Sequence, residues 1–232
     1  RSLFPEAETL SATCYACGVF ASQLTVGNTS FHKLLSVSRN PLHLVRTAGL
    51  RILMRCGDGW RLLGLPSAFE TAPGACRWFY QLDDGQVTVR VSAGAERPVL
   101  RVDLDVMDGP EREFLLVHDL VLGVSELDHA ATMEVDGAAG RIVLRPGGDA
   151  PSARQAPDLA FLVSVPELAS LDRLGGAELL PGCADARALP CAVVQTRAVR
   201  SFAMKLHGST TGDLPRQDRV PRPCRCPEGI DR

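Results

Sequence analysis

The sequence predicts an all-β fold: a large antiparallel β-sandwich with one short helix and a disordered C-terminal tail. Three observations carry this. Apolar and polar residues alternate with period two through most of the middle of the chain. Clusters of Gly, Asp and Pro punctuate those runs, and helix start and stop signals are few. Many short strands joined by such turns make a sandwich or a barrel.

Taken in order, residues 1–9 read as an N-terminal extension, and Thr13 to Phe20 as an apolar, strand-like run. Leu34 to Val45 is ambiguous because Asn40-Pro41 interrupts it. Gly57-Asp58-Gly59 is a turn, since Gly supplies positive φ and Asp tolerates tight conformations. Cys76 to Leu82 (CRWFYQL) is an aromatic-rich strand that ends at the turn Asp83-Asp84-Gly85. Val87, Val89 and Val91 then share one face, opposite Gln86, Thr88 and Arg90. Leu100, Val102, Leu104 and Val106 repeat the pattern against Arg101, Asp103 and Asp105.

Asp108-Gly109-Pro110 predicts a further hairpin or short loop. Phe114 to Leu122 is almost continuously apolar, as a strand covered on both faces would be. Asp136-Gly137 and Pro146-Gly147-Gly148 bracket another alternating strand, Arg141 to Arg145, with Ile142 and Leu144 inward. Leu168, Leu171 and Leu174, spaced by three between Pro166 and Gly175-Gly176, predict the short helix. Phe202, Met204 and Leu206 form the last alternating strand. From Gly212 the chain is crowded with Pro, Arg and Cys and has few apolar side chains, so it cannot bury enough surface to fold. The expected organisation is one sandwich domain over 10–208 and a linker or truncated tail over 209–232.

Composition excludes several classes. The 232 residues are 45% hydrophobic and carry a net charge of −2, which suits a folded core and argues against binding nucleic acid by phosphate neutralisation. No run of about eighteen apolar residues occurs, so no membrane partner is expected. All but two of the 25 basic residues are Arg, a bias that points to GC-rich coding sequence.

The eight cysteines could suggest metal or disulfides. Cys14 and Cys17, however, fall in a strand-like run, where positions three apart point to opposite faces and chelate poorly. No helix follows them to make a redox motif. Scattered, reduced cysteines fit better, with a cytoplasmic location. Nucleotide-cradling loops, a nucleophile elbow and a His-Glu-x-x-His helix are all missing from the sequence. Asp103 and Asp105 read as a solvated face, and His118 as a core histidine.

Two features suggest contact with a ligand or a neighbouring domain. Between Thr9 and Gly57 there is no acidic residue, whereas Lys33, Arg39, Arg46, Arg51 and Arg55 fall there with His32 and His43. Arg forks suit carboxylate and phosphate, unless partner acids lie elsewhere in the fold. Arg77 and Trp78 lie in the aromatic strand, where Trp78 is either a sugar-stacking platform or part of the sandwich core.

The runs GNTSFHKLLSVSRNPLHLVRTAGLRI (Gly27 to Ile52), GWRLLGLPSAFETAPGACRWFYQLDDGQVTVRV (Gly59 to Val91) and EFLLVHDLVLG (Glu113 to Gly123) resemble the N-terminal β-sandwich, or supersandwich, of inverting glycoside phosphorylases. That family includes cellobiose and 1,2-β-oligoglucan phosphorylases, and its modules recur in cyclic β-glucan synthases. The resemblance covers roughly Leu10 to Gly208 and rests on strand-and-turn pattern rather than on a catalytic signature.

It implies a non-catalytic sandwich cut from a bacterial carbohydrate-active enzyme, a glycosyltransferase-class phosphorylase. The Arg1 start fits such a cut. The helical barrel that would bind phosphate and supply the general acid is absent from this sequence, so no residue here takes a catalytic role. No cofactor or metal is implied; inorganic phosphate is the co-substrate of the full enzyme. Implied partners are a β-glucan or oligosaccharide, the helical catalytic domain and a second copy in a homodimer. His32, Arg39, Asn40, Arg46, Arg77 and Trp78 are the candidates for carbohydrate or domain-interface contact. The alternatives are a stand-alone carbohydrate-binding sandwich and a structural or assembly domain.

Overall fold

The computed structural model describes residues 11–14, 24–27, 50–64, 66–72, 75–93, 99–120, 122, 131–148, 150, 153–154, 156–181, 190–209, 211 and 213–214. The strands are β1 (Ser11–Cys14), β2 (Leu24–Gly27), β3 (Leu50–Cys56), β4 (Gly59–Leu62), β5 (Ala68–Ala72), β6 (Ala75–Leu82), β7 (Gly85–Ala93) and β8 (Val99–Asp108). They continue with β9 (Phe114–Asp119), β10 (Ala131–Asp136), β11 (Arg141–Pro146), β12 (Ala160–Ser164), β13 (Leu171–Gly175), β14 (Cys191–Thr196) and β15 (Ser201–Ser209). An eight-stranded sheet runs β10-β11-β12-β15-β8-β7-β6-β5, a five-stranded sheet runs β13-β14-β9-β3-β4, and β1 pairs with β2. The pairings are antiparallel throughout.

The two larger sheets form a sandwich because the alternating residues meet between them. Val87, Val89 and Val91 of β7, Leu100, Val102 and Leu104 of β8, and Phe202, Met204 and Leu206 of β15 join one buried cluster. Leu50, Ile52 and Met54 of β3 and Phe114 and Leu116 of β9 reach the same cluster from the opposite sheet. Full burial of one such side chain contributes about 1.5–3 kcal/mol, so register is strongly specified here.

The central strand β9 is buried at every position, as its apolar run predicts. Its other face carries Leu115 and Val117 into a second cluster with Cys191 and Val193. Leu53, Trp60, Leu179 and Leu180 cover that cluster.

One expectation is corrected. Leu168, Leu171 and Leu174 do not form a helix: Leu168–Ser170 is a single 3-10 turn, and Leu171–Gly175 is the strand β13. Its register against β14 shifts between Leu171 and Arg173. One extra residue at a bulge resets the alternation, so Leu171 and Leu174 both meet the core although they are three apart. Leu168 is left 47% exposed. The spacing that mimics a helix is thus a strand with a bulge.

Asp108-Gly109-Pro110 takes the short-loop alternative rather than the hairpin. It carries the chain from β8 in the large sheet to β9 in the small one. The turns at Gly57-Asp58, Asp83-Asp84 and Asp136-Gly137 do join paired neighbours. Among the described cysteines, Cys76 and Cys191 are buried and Cys56 is half-buried. Cys17, the ambiguous Leu34 to Val45 run and the tail beyond 214 lie outside the described residues.

Candidate functional site

Four predicted contact residues, His32, Arg39, Asn40 and Arg46, lie outside the described residues. The other two, Arg77 and Trp78, are neighbours on β6 and therefore point to opposite faces of the sheet. Trp78 shares its face with Cys76 and Tyr80 and is 0% exposed in the core. Its ring is enclosed between the sheets, so it offers no face to a sugar in solvent. Core packing is its place in this fold, and the sugar-stacking reading of Trp78 is corrected. Tyr80 is buried beside it, and burial raises the pKa of its phenol.

Arg77 faces outward together with Phe79, whose ring lies 5.9 Å beneath the guanidinium carbon. The aromatic residue that accompanies Arg77 is therefore one position further along than Trp78. The register lines up side chains across four strands on this outer face. Glu70 of β5 stands opposite Arg77, Arg77 opposite Arg90 of β7, and Arg90 opposite Asp103 of β8. The neighbouring row runs Phe79, Thr88, Asp105 and Ser201.

Charge on this face is balanced locally. Arg77 pairs with Glu70 at 3.2 Å, and Arg101 Nε donates to Asp103 at 2.6 Å. Arg90 forms no ion pair among the described residues, although it stands between two charged neighbours. Burial, then the neighbouring Asp103 carboxylate, raises the pKa of Asp105 above the ordinary carboxylate range, while Arg77, Arg101 and Arg90 pull it back down. A half-buried carboxyl among three guanidiniums is a perturbed group of the kind that marks contact sites. The face offers fixed donors, acceptors and one aromatic ring, which suits a hydroxyl-rich ligand or a polar protein surface. Among the described residues no three His, Cys, Asp or Glu side chains converge to hold a metal.

His118 and Asp119 are sequence neighbours that the strand separates. His118 lies opposite Leu50 and Ala192 and shares the inward parity of Phe114 and Leu116. Its two ring nitrogens find no hydrogen-bond partner among the described residues. Burial pushes its pKa down to about 4. Asp119 projects from the other face and accepts two hydrogen bonds from Arg51, 3.1 Å from Nε and 2.9 Å from Nη2. Imidazole and carboxylate thus cannot act as a dyad, and the carboxylate serves a structural clamp between β3 and β9. The His118 core reading of the sequence fits this placement.

Phe79 and Arg90 join Arg77 on the outer face but were not among the predicted contact residues, although the sequence carried a usable signal. Alternation along CRWFYQL already assigns Arg77 and Phe79 to one face; the pairing partner Arg90 follows only once the turn at Asp83-Asp84-Gly85 sets the register.

A family model described as the glycoside phosphorylase supersandwich domain matches residues 4–208. A curated relative, the 1,2-beta-oligoglucan phosphorylase of Listeria innocua, is 36% identical over 161 residues, which is 69% of this chain. The aligned part is 14% of that relative's own length. The match spans nearly all of the described strands, and the two-sheet architecture agrees with it: this chain belongs to the glycoside phosphorylase supersandwich domain family.

Proposed function

We propose that this sandwich is a non-catalytic domain of an enzyme that cleaves β-glucosidic bonds with inorganic phosphate and releases a sugar 1-phosphate. The observation that carries the reading is the match of residues 4–208 to a supersandwich domain, together with a phosphorylase relative of which it covers 14%. Within the described strands, the carboxylates are arranged for structure or for surface contact. Asp119 is clamped by Arg51, and Glu70 and Asp103 are paired with arginines. Phosphorolysis with inversion needs an acid and a phosphate held on opposite sides of a sugar, and these three carboxylates are each engaged by an arginine.

In this reading the domain supports a helical catalytic domain in a cytoplasmic, bacterial protein, and its polar face meets that domain, a β-glucan or a second subunit. The test is a phosphorolysis assay with β-1,2-linked glucooligosaccharides and inorganic phosphate. The 232-residue chain alone is expected to release no glucose 1-phosphate, whereas a protein joining it to a helical catalytic domain is expected to release it. Release by the isolated chain, or none by the joined protein on any β-glucan, overturns the proposal.

A second reading, a carbohydrate-binding sandwich without catalysis, is favoured by the Arg77–Phe79 pair on the outer face. It predicts glycan affinity that falls on Phe79→Ala and Arg90→Ala without loss of folding.

A further inference from the structure

Aspartate is followed by glycine four times in the chain, at Asp58-Gly59, Asp84-Gly85, Asp108-Gly109 and Asp136-Gly137. With no Cβ, glycine leaves its amide nitrogen open to close approach. That nitrogen can then attack the preceding carboxyl carbon and close a five-membered succinimide ring. The fold decides which of the four is placed to do so.

At Asp58 and Asp84 the following glycine is already part of a strand. Gly59 opens β4 opposite Cys56, and Gly85 opens β7 opposite Leu82. Ring closure would take the N–H from a paired residue, so the ladder opposes it. Asp84 is also held as a carboxylate by Arg112, whereas ring closure needs the un-ionised acid. At Asp136 the carboxyl turns away from its own glycine, and Oδ1 accepts from the Ala139 amide instead.

Asp108-Gly109 differs on each count. Strand β8 ends at Asp108, so Gly109 lies outside the ladder. The Gly109 amide donates to Asp108 Oδ1 at 2.9 Å. The nitrogen is thus held beside an oxygen bonded to the carbon it would attack, and such pre-set proximity favours intramolecular closure. Asp108 is exposed, so water can reach the ring that forms.

We infer that Asp108 is a modification site, where the folded protein converts aspartate to isoaspartate without an enzyme. The Gly109 nitrogen bonds to Asp108 Cγ; its proton and the carboxyl hydroxyl leave as water. Water then adds at Cγ, which restores aspartate, or at the α-carbonyl carbon, which gives the β-linked isomer. No oxidant or other reactant enters, and the final mass is unchanged. The main chain gains one carbon, and the Asp108 carbonyl that abuts Gly85 becomes a free carboxylate. Contact between the β6–β7 turn and the crossing from sheet to sheet is thereby loosened. The inference is independent of the phosphorylase reading, since it needs neither a sugar nor another domain.

The experiment keeps the 232-residue chain folded at about pH 5 and about 37 °C, where ordinary carboxyl groups are partly protonated. Peptide mapping by electron-transfer mass spectrometry separates isoaspartate from aspartate at each site. Isoaspartate at 108 is expected to accumulate at least about threefold faster than at 58, 84 or 136, with the four rates converging in urea. In Asp108→Asn the amide leaves as ammonia without prior protonation, so ring closure is expected at least about tenfold faster. Asp108→Glu would need a six-membered ring and is expected to give no product at 108. If packing of Gly109 against the Asp84 carbonyl restrains closure instead, Asp136 reacts faster, and the inference is overturned. Equal rates at the four sites of the folded chain, or no isoaspartate at 108, overturn it as well.

Discussion

Gly85 and Gly109 sit back to back where the β6–β7 turn meets the chain crossing from one sheet to the other. A side chain on Gly85 would run into the carbonyl of Asp108, and one on Gly109 into the carbonyl of Asp84. Both have positive φ, +152° and +92°. Arg112 ties the same two segments together through an ion pair with Asp84 at 2.5 Å, and its guanidinium holds the Asp84 carboxyl below the ordinary carboxylate range. The two turns thus meet backbone to backbone at the point where the chain leaves the large sheet.

Alanine at either glycine is therefore expected to cost about 2 kcal/mol or more, because strained backbone adds to a clash with rigid carbonyls. Gly57→Ala is the control: φ is +56° but the space around it is open, so the expected loss is about 1 kcal/mol. Urea unfolding of the three variants checks the order. Equal losses at all three positions would show that the close approach carries no energy.

The Arg51–Asp119 clamp is asymmetric. Asp119 is 4% exposed and Arg51 39% exposed. Removing the arginine withdraws two donors from a buried carboxylate, whereas removing the carboxylate leaves an arginine that water can reach. Arg51→Met is expected to cost about 2–4 kcal/mol and Asp119→Asn less. Chemical denaturation measures both, and a larger loss for Asp119→Asn would contradict the burial argument.

Stability is expected to fall in mild acid because of His118. Its folded pKa, about 4, lies below the ordinary imidazole value of about 6.5. The unfolded chain takes up the proton first, so this contribution is complete above pH 6.5. It declines as pH drops towards 4, by a total on the order of 3 kcal/mol. Replacing the unpartnered imidazole by Leu is expected to remove that part of the slope and to raise stability at pH 7 by about 1 kcal/mol. Melts of the two proteins from pH 7 to pH 4 give the comparison, and parallel curves would show that His118 does not titrate this way.

Adjacent aromatic residues on β6 are expected to behave oppositely. Trp78→Ala opens a cavity in the core and should cost about 3–5 kcal/mol. Phe79→Ala acts on the outer face and should cost about 1 kcal/mol or less. If a glycan titration is run, only the Phe79 variant tests binding, since a loss in the Trp78 variant reports unfolding. A well-folded Trp78→Ala protein with near-normal stability would contradict the packing described here.

Much of this protein is local and was legible as pattern. Val87, Val89 and Val91, Leu100 to Val106, and Phe202 to Leu206 each sort their own faces, because side chains alternate along any extended strand. Gly57-Asp58, Asp84-Gly85 and Asp136-Gly137 mark hairpins through backbone chemistry that needs no distant partner. The class of fold, the buried strand β9 and the resemblance to phosphorylase sandwiches follow from these signals.

Tertiary structure alone decided which strands pair across the molecule and which turn changes sheet. The Asp108-Gly109-Pro110 turn has the same composition as a hairpin, and it became a crossover because the β9 run is apolar on both sides and must be covered on both. The bulge in β13 gave Leu171 and Leu174 one face. Arg51 met Asp119 across 68 residues of chain. Alternation states which residues want burial but not against what; that choice belongs to the packing of two sheets at once.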